Sequence, residues 1–172
     1  MAKIRRASLR LNEKEIGHLR GPNGRRLCRF CKKEVQPPRK TFCSSGCLHE
    51  WKIRSDTKYM RKLVYERDLG ICAMCGVDTR YIRIEIENAA RDAMRSSGRW
   101  HCDDHPDYLK VLNKFHLTVK EAKKSIWAAD HIIPVIEGGG LCDLGNIRSL
   151  CLPCHKLVTK QLSKRRRKRR KQ

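Results

Sequence analysis

Eight of the ten cysteines form four close pairs, a spacing that is typical of metal ligands. The pairs are Cys28 with Cys31, Cys43 with Cys47, Cys72 with Cys75, and Cys151 with Cys154. Two neighbouring thiolates can hold one side of a tetrahedral zinc ion, and a second pair completes a shell of four thiolates. We therefore predict two structural zinc sites, one from the first two pairs and one from the last two. A redox-active Cys-x-x-Cys motif or a set of disulfides is the alternative.

A second set of polar residues lies beside the last cysteine pair. Asp130 and His131 are adjacent, Asn146 comes later in the chain, and His155 comes directly after the last cysteine of the pairs. A histidine with an ordinary pKa can accept a proton from water near neutral pH. A carboxylate and an imidazole can together hold a hard cation, and such a combination suits phosphodiester hydrolysis. Two packed, hydrogen-bonded histidines are the alternative for His131 and His155.

Positive charge dominates the chain and is concentrated toward its two ends. Of 172 residues, 40 are Lys or Arg and 18 are Asp or Glu, which gives a net charge of +22. Residues 1–67 contribute +13, residues 68–128 contribute +1, and residues 129–172 contribute +8. This excess favours a polyanionic partner, and nucleic acid is the first expectation. The basic run 164–171 predicts a phosphate-binding arm, with a solubilising tail or a nuclear-import signal as the alternative.

The apolar content excludes two classes of protein. No run of eighteen apolar residues occurs, so we expect no membrane-spanning helix and no membrane partner. The first ten residues lack the apolar segment of a secretory signal, so we expect reduced cysteines and an intracellular location. That location would be the cytoplasm or nucleoid, or the nucleus of a eukaryotic cell.

The order of the candidate site residues resembles that of the HNH endonuclease family. Asp130 with His131, then Asn146, then Cys151-x-x-Cys154 followed by His155 match the family's motif in sequence. The branch it resembles has zinc knuckles and includes HNH modules appended to annealing helicases. The resemblance covers residues 58–160 apart from an insertion. It implies a small, zinc-stabilised α+β fold with a treble-clef-like ββα-metal core, in which two strands and a helix surround one divalent ion.

The resemblance also implies a role for each residue. His131 would be the general base, Asp130 and His155 would hold a catalytic Mg²⁺ or Mn²⁺, and Asn146 would orient the base or approach the metal. A turn asparagine after Gly145 is the alternative for Asn146. Hydrolysis of duplex or branched DNA would leave a 5′-phosphate and a 3′-hydroxyl, with the protein acting as a monomer or weak dimer. No small-molecule substrate is expected, and a non-catalytic zinc-finger protein that binds DNA or RNA is the rival interpretation.

The secondary structure around these residues is predicted from the resemblance and from local patterns. The family fold places the first strand at 127–133, the second at 147–150 and the helix at 152–164, with Pro153 in its first turn. Hydrophobic periodicity predicts a connector helix over 55–69. Its apolar face consists of Tyr59, Met60, Leu63 and Val64, and Gly70 would end it.

The insertion is predicted to be mostly helical. One apolar stripe contains Ile82, Ile86, Ala89, Ala90 and Ala93 at helical spacing. Thr118 and Glu121 form a capping-box pattern that predicts a helix continuing to about Ile126.

These patterns give a domain plan for the chain. It contains a basic N-terminal segment (1–26), a four-cysteine zinc finger (27–54), an HNH domain (55–163) with the helical insertion 76–126, and a basic tail (164–172). Candidate DNA contacts are basic residues of the finger and the tail: Arg25, Arg26, Arg29, Lys32, Lys33, Lys164, Arg165, Arg166 and Arg167.

Two cysteines and one histidine stay outside this scheme. Cys102 with His105 has a metal-ligand spacing, and Cys142 could supply a third ligand. Packed or free thiols are the simpler interpretation, because three ligands would have to converge from distant segments. His49 lies two residues after Cys47 and is interpreted as a surface histidine rather than a zinc ligand.

Overall fold

The computed structural model describes residues 19–140 and 142–170, so part of the predicted basic N-terminal segment (1–18) and the end of the basic tail (171–172) lie outside the described residues. The helices are α1 (Ser45–Ser55), α2 (Thr57–Asp68), α3 (Thr79–Ser97), α4 (Pro106–Lys114), α5 (Val119–Ala122) and α6 (Leu152–Arg169). The strands β1 (Trp127–His131) and β2 (Ile147–Cys151) pair in a two-stranded sheet. The protein is therefore a small α+β fold, as predicted. Within the described ranges, no helix is long and apolar enough to cross a membrane.

The chain divides into two compact units. The described residues up to Val64 form the first unit together with the segment His131–Ile147. The second unit combines Tyr65–Asp130 with the residues from Arg148 onward. The domain boundaries inferred from the sequence stay a prediction.

The first unit contains the finger and helix α1. A short backbone bridge joins Leu27 and Glu34, and the N–H of Cys28 donates to the carbonyl of Lys33 at 2.7 Å. Lys32 adopts a positive φ of 61°, which lets the chain turn tightly between these two segments. Helix α1 begins where the Ser44 side chain accepts a hydrogen bond from the N–H of Cys47.

The second unit has its own hydrophobic core in the insertion. The predicted stripe on α3 is confirmed, since Ile82, Ile86 and Ala93 are buried and Ala89 and Ala90 pack against them. The remaining buried members come from the segments that follow α3: Tyr108, Leu112, Leu117, Ala122 and Ile126. The amphipathic pattern thus buries one face of α3 against the rest of the insertion.

Helix α5 is shorter than the sequence predicts. Thr118 and Glu121 form the predicted capping box, but the helix ends at Ala122 rather than near Ile126. Ile126 is buried, and its carbonyl accepts a hydrogen bond from the N–H of Leu152 at 3.0 Å. The chain thus leaves the helix before Ile126, which bonds to the start of α6 instead of continuing α5.

The strands and the last helix also differ in length from the prediction. Strand β1 ends at His131 instead of residue 133, because the backbone of Ile133 bonds to the Asn146 side chain rather than to a partner strand. Strand β2 reaches Cys151, one residue further than expected. Helix α6 has Pro153 in its first turn, as predicted, but continues to Arg169, past the expected end near residue 164. Lys and Arg are good helix formers, and no Gly or Pro follows to stop the helix.

Candidate metal and catalytic sites

The first cysteine cluster consists of Cys28, Cys31, Cys43 and Cys47. All four sulfur atoms lie within 4.8 Å of one another, with 3.5 Å between Cys31 and Cys43 and 3.3 Å between Cys43 and Cys47. The first pair is on the tight turn of the finger, and Cys47 lies in the first turn of α1. The structure thus brings together the four cysteines that the spacing predicted, in a group that could hold a zinc ion.

The thiols of this cluster differ in acidity. Burial raises the pKa of Cys28, but hydrogen bonds from the backbone N–H groups of Cys31 and Cys43 outweigh that effect and lower the pKa to about 6. Hydrogen bonds with the thiols of Cys47 and Cys31 raise the pKa of Cys43 to about 12. The cluster therefore includes one thiol that ionises readily near neutral pH, and the thiolate is the form that binds metals.

The second cluster joins two cysteine pairs that are far apart in the sequence. Cys72, Cys75, Cys151 and Cys154 place their sulfur atoms within 4.8 Å of one another. Cys72 and Cys75 lie on a tight turn closed by Gly76 at a φ of 72°, where the N–H of Gly76 donates to the carbonyl of Cys72. Cys151 ends β2, and Cys154 lies in the first turn of α6.

Thiol acidity in the second cluster follows the same pattern. Burial opposes ionisation of Cys72, but backbone N–H donors from Cys151 and Cys75 lower its pKa to about 7. Burial raises the pKa of Cys154 to about 11. Each cluster thus contains one thiol of lowered pKa.

Asp130 and His155 lie together at the start of helix α6. Oδ1 of Asp130, on β1, and Nε2 of His155, on α6, are 4.0 Å apart. The other oxygen of Asp130, Oδ2, is 3.3 Å from Nη2 of Arg148. Asp130 and Arg148 are partly buried, with side chains 15% and 26% exposed, whereas His155 is 38% exposed. A carboxylate and an imidazole this close can share one divalent cation and leave it open to solvent on one side.

His131 is the last residue of β1 and is half-buried. The chain after it is held by Asn146. The Asn146 side chain accepts from the N–H of Ile133 at 2.8 Å and donates to the carbonyls of Ile133 and Gly139 at 3.1 Å and 3.0 Å. The Asn146 carbonyl accepts a further bond from the N–H of Ile132. Asn146 therefore closes the loop that starts immediately after His131.

A family model described as HNH endonuclease matches residues 113–161, the part of the chain that contains Asp130, Asn146 and His155. Two vertebrate proteins called DNA annealing helicase and endonuclease ZRANB3 are similar over most of this chain. The chain carries an HNH endonuclease domain.

The relatives are much longer than this chain. Mouse ZRANB3 is 34% identical over 154 residues, which are 83% of this chain and 14% of the mouse protein. Human ZRANB3 is 34% identical over 125 residues, which are 73% of this chain and 11% of the human protein. The crystal structure of the human ZRANB3 HNH domain has a TM-score of 0.44 and 28% identity, and covers 69% of this chain and 98% of that one.

The basic residues predicted to contact DNA are mostly exposed. Arg25, Arg26, Lys32 and Lys33 are exposed on the finger, whereas Arg29 is half-buried. The four basic residues Lys164, Arg165, Arg166 and Arg167 are exposed on the last turns of α6. The basic run that begins at Lys164 is therefore helical through Arg169.

Cys102 and His49 lie outside the two cysteine clusters. Cys102 is half-buried, packs against the insertion core, and has a pKa raised by that burial. Within the described residues, neither it nor Cys142 belongs to a group of three or more possible metal ligands. His49 instead shares a 2.8 Å hydrogen bond with the hydroxyl of Tyr59.

Sequence reasoning missed three residues that support the HNH domain. Arg148 contacts Asp130, Asp68 accepts the N–H of Ser149 in β2 at 2.8 Å, and Lys156 pairs with Glu121 at 2.7 Å. These contacts join residues 18, 81 and 35 positions apart. Of the residues in these contacts, only Glu121 gave a signal in the sequence, through its capping-box pattern. The pairing of Arg148 with Asp130, of Asp68 with Ser149 and of Lys156 with Glu121 depends on strand register and packing.

Proposed function

We propose that this protein is a metal-dependent DNA endonuclease that hydrolyses phosphodiester bonds. The observation that carries the proposal is the proximity of Asp130 on β1 to His155, 4.0 Å away on helix α6, and the same helix supplies Cys154 to a four-cysteine cluster. This combination lies inside the stretch that matches the HNH endonuclease family model. A protein that only binds nucleic acid has no need of a paired carboxylate and imidazole beside its zinc cluster.

Asp130 and His155 would hold the catalytic ion. A carboxylate oxygen and an imidazole nitrogen are harder ligands than the thiolates of the nearby cluster, so the donor set suits Mg²⁺ or Mn²⁺ better than a soft metal. Mg²⁺ is usually held by one or two carboxylates, with substrate phosphates and water completing its shell. The bound ion would stabilise negative charge on the phosphate and on the leaving oxygen.

His131 would accept the proton of the attacking water, which its imidazole can do near neutral pH. Asn146 would act as a positioning residue, because its side chain holds the loop that follows His131. In-line attack by water on phosphorus would break the bond to the 3′ oxygen. The products would then carry a 5′-phosphate and a 3′-hydroxyl.

The two cysteine clusters would each hold a structural zinc ion. Four sulfur atoms within 4.8 Å match the tetrahedral thiolate shell of closed zinc sites. Such sites require reduced thiols, so we propose an intracellular location where DNA is present.

DNA, duplex or branched, would bind through its backbone. The exposed cations of the finger and of the α6 terminus can pair with phosphates irrespective of base sequence. The net charge of +22 gives this interaction its strength. We propose a monomer or weak dimer as the active species.

A plasmid nicking assay tests the proposed function. The zinc-loaded protein should convert supercoiled plasmid to nicked circles with Mg²⁺ or Mn²⁺, and His131→Ala should slow this by roughly 10²–10⁴-fold. The matched control is His101→Ala, which removes an exposed histidine from the loop between α3 and α4. If no divalent ion supports nicking, or if His131→Ala nicks at the wild-type rate, the proposal is wrong. DNA or RNA binding without nicking would favour the rival interpretation, a non-catalytic zinc-finger protein.

A further inference from the structure

Arg148 contacts the carboxylate that we propose as a ligand of the catalytic metal, so any role for Arg148 at the metal rests on that proposed function. Two guanidinium N–H groups, at Nε and Nη2, donate to the same oxygen of Asp130, Oδ2, at 3.4 Å and 3.3 Å. The imidazole of His155 lies on the side of the other oxygen, Oδ1. The two oxygens of one carboxylate therefore face different partners.

Arg148 projects from a well-anchored strand. Its neighbours in β2, Ile147 and Ser149, are both buried, and the N–H of Ser149 donates to Asp68 at 2.8 Å. The Arg148 side chain is only 26% exposed, so the pair with Asp130 is protected from much of the solvent. A planar guanidinium held in this way directs its donors at a carboxylate more strictly than a lysine ammonium would.

We propose that Arg148 selects the catalytic metal by reserving one oxygen of Asp130, so that the carboxylate binds the ion through Oδ1 alone. Ca²⁺ takes six to eight oxygen ligands and often binds a carboxylate through both oxygens, whereas Mg²⁺ requires near-octahedral geometry and fewer protein ligands. An oxygen that already accepts two N–H groups is a poor second ligand. Arg148 thereby disfavours Ca²⁺ relative to Mg²⁺ and Mn²⁺, and acts as a positioning residue.

Competition between Mn²⁺ and Ca²⁺ tests this inference without measuring catalysis. The zinc-loaded protein is titrated with Mn²⁺ in the absence of DNA, bound Mn²⁺ is followed by its paramagnetic resonance signal, and Ca²⁺ is then added as competitor. For Arg148→Ala we expect Ca²⁺ to gain affinity relative to Mn²⁺ by about tenfold, the lower end of what outer-shell partners contribute. Loss of the positive charge alone would raise the affinity for both ions equally and leave the ratio of the two affinities unchanged.

Two further variants separate the charge of Arg148 from its geometry. Arg148→Lys keeps the charge but loses the planar pair of donors, so its Mn²⁺-to-Ca²⁺ ratio should fall between those of the wild type and Arg148→Ala. If Arg148→Ala does not fold, Arg148→Lys is compared with the wild type in its place. Arg80→Ala is the matched control, because Arg80 pairs with Asp78 at 2.9 Å on an exposed part of α3. Its ratio should equal that of the wild type.

Asp130→Asn distinguishes failure of this inference from failure of the proposed function. If Asp130→Asn binds Mn²⁺ as well as the wild type does, Asp130 is not a ligand and the proposed catalytic site is wrong. If Asp130→Asn loses Mn²⁺ but neither Arg148 variant changes the Mn²⁺-to-Ca²⁺ ratio, the metal site stands and selection by Arg148 is overturned.

Discussion

Gly139 and Asn146 pack against each other on the loop that follows β1. A Cβ at position 139 would lie 1.8 Å from the carbonyl oxygen of Ile133 and 2.7 Å from Nδ2 of Asn146. Both atoms take part in the hydrogen bonds that close this loop, so neither can move without breaking one of them. Because the loop starts immediately after His131, its packing also bears on the position of the proposed base.

Gly139→Ala should therefore lower the free energy of unfolding by about 1–3 kcal/mol, as overpacking of a buried position does. We also expect plasmid nicking to slow. The adjacent Gly140→Ala is the matched control, since its Cβ would meet only a methyl group of Val135 at 3.2 Å. Urea unfolding of both variants checks the expectation, and equal destabilisation would contradict it.

At the scale of elements, the insertion supports the helix that carries His155. Glu121 accepts hydrogen bonds from the N–H and the hydroxyl of Thr118, at 3.0 Å and 2.8 Å, and pairs with Lys156 on α6. The carbonyl of Ile126 accepts the first N–H of α6, from Leu152. The Glu121 carboxylate thus caps α5 and pairs with Lys156, which lies on α6 directly after the candidate metal ligand His155.

The pH dependence of the free energy of unfolding should show the contribution of the ion pair between Glu121 and Lys156. The ion pair with Lys156, together with the Thr118 donors, lowers the pKa of Glu121 to about 2. A carboxyl whose folded pKa lies below its unfolded value stabilises the fold above the unfolded pKa, near 4.5, and loses that contribution as the pH falls toward 2. The wild type should therefore exceed Glu121→Gln in stability at pH 7, by a margin that shrinks below about pH 4.5.

Thermal unfolding of the two proteins between pH 7 and pH 3 measures that margin, with the wild type and the variant compared at the same pH in each case. Glu87→Gln is the control, because Glu87 makes only a 4.0 Å contact with Arg83 and is 62% exposed. A margin between the wild type and Glu121→Gln that stays constant with pH would show that Glu121 does not stabilise the fold through its charge.

At the scale of the whole molecule, apolar packing is unevenly distributed. The larger buried cluster belongs to the insertion, and a second, small one surrounds Leu150 with Cys72 and Cys151. The finger around Cys28 contributes few buried side chains. Metal binding would compensate, because the free energy of zinc coordination becomes folding free energy in domains of this kind.

The purified protein should accordingly contain about two zinc ions per chain, as measured by atomic emission. Cys75→Ser should reduce this to about one and lower the melting temperature, whereas Cys102→Ser should leave both quantities unchanged. A strong chelator should unfold the finger but preserve much of the helical circular dichroism of α3 and α4, which share their own core. A third zinc ion that is absent from Cys102→Ser would instead indicate a third metal site that includes Cys102.

Features that depend on residues within a few positions of one another could be predicted from the sequence. The capping box at Thr118, the stripe on α3 and the proline in the first turn of α6 all depend on such local contacts. The ends of β1, α5 and α6 were predicted less well. An element's end depends on what its last residues meet, as Ile133 meets the Asn146 side chain and Ile126 meets Leu152.

The kinds of ligand that this protein carries, their close pairs and the order that marks an HNH endonuclease domain are all visible in the amino-acid sequence. A pair of cysteines three positions apart can hold one side of a metal ion, because a tight turn between them brings both thiols to the same side. Folding brings together groups that are distant in the chain: Cys75 with Cys151, and Asp130 with both Arg148 and His155. These contacts depend on strand register and on helix packing, and neither is encoded in the neighbouring residues alone.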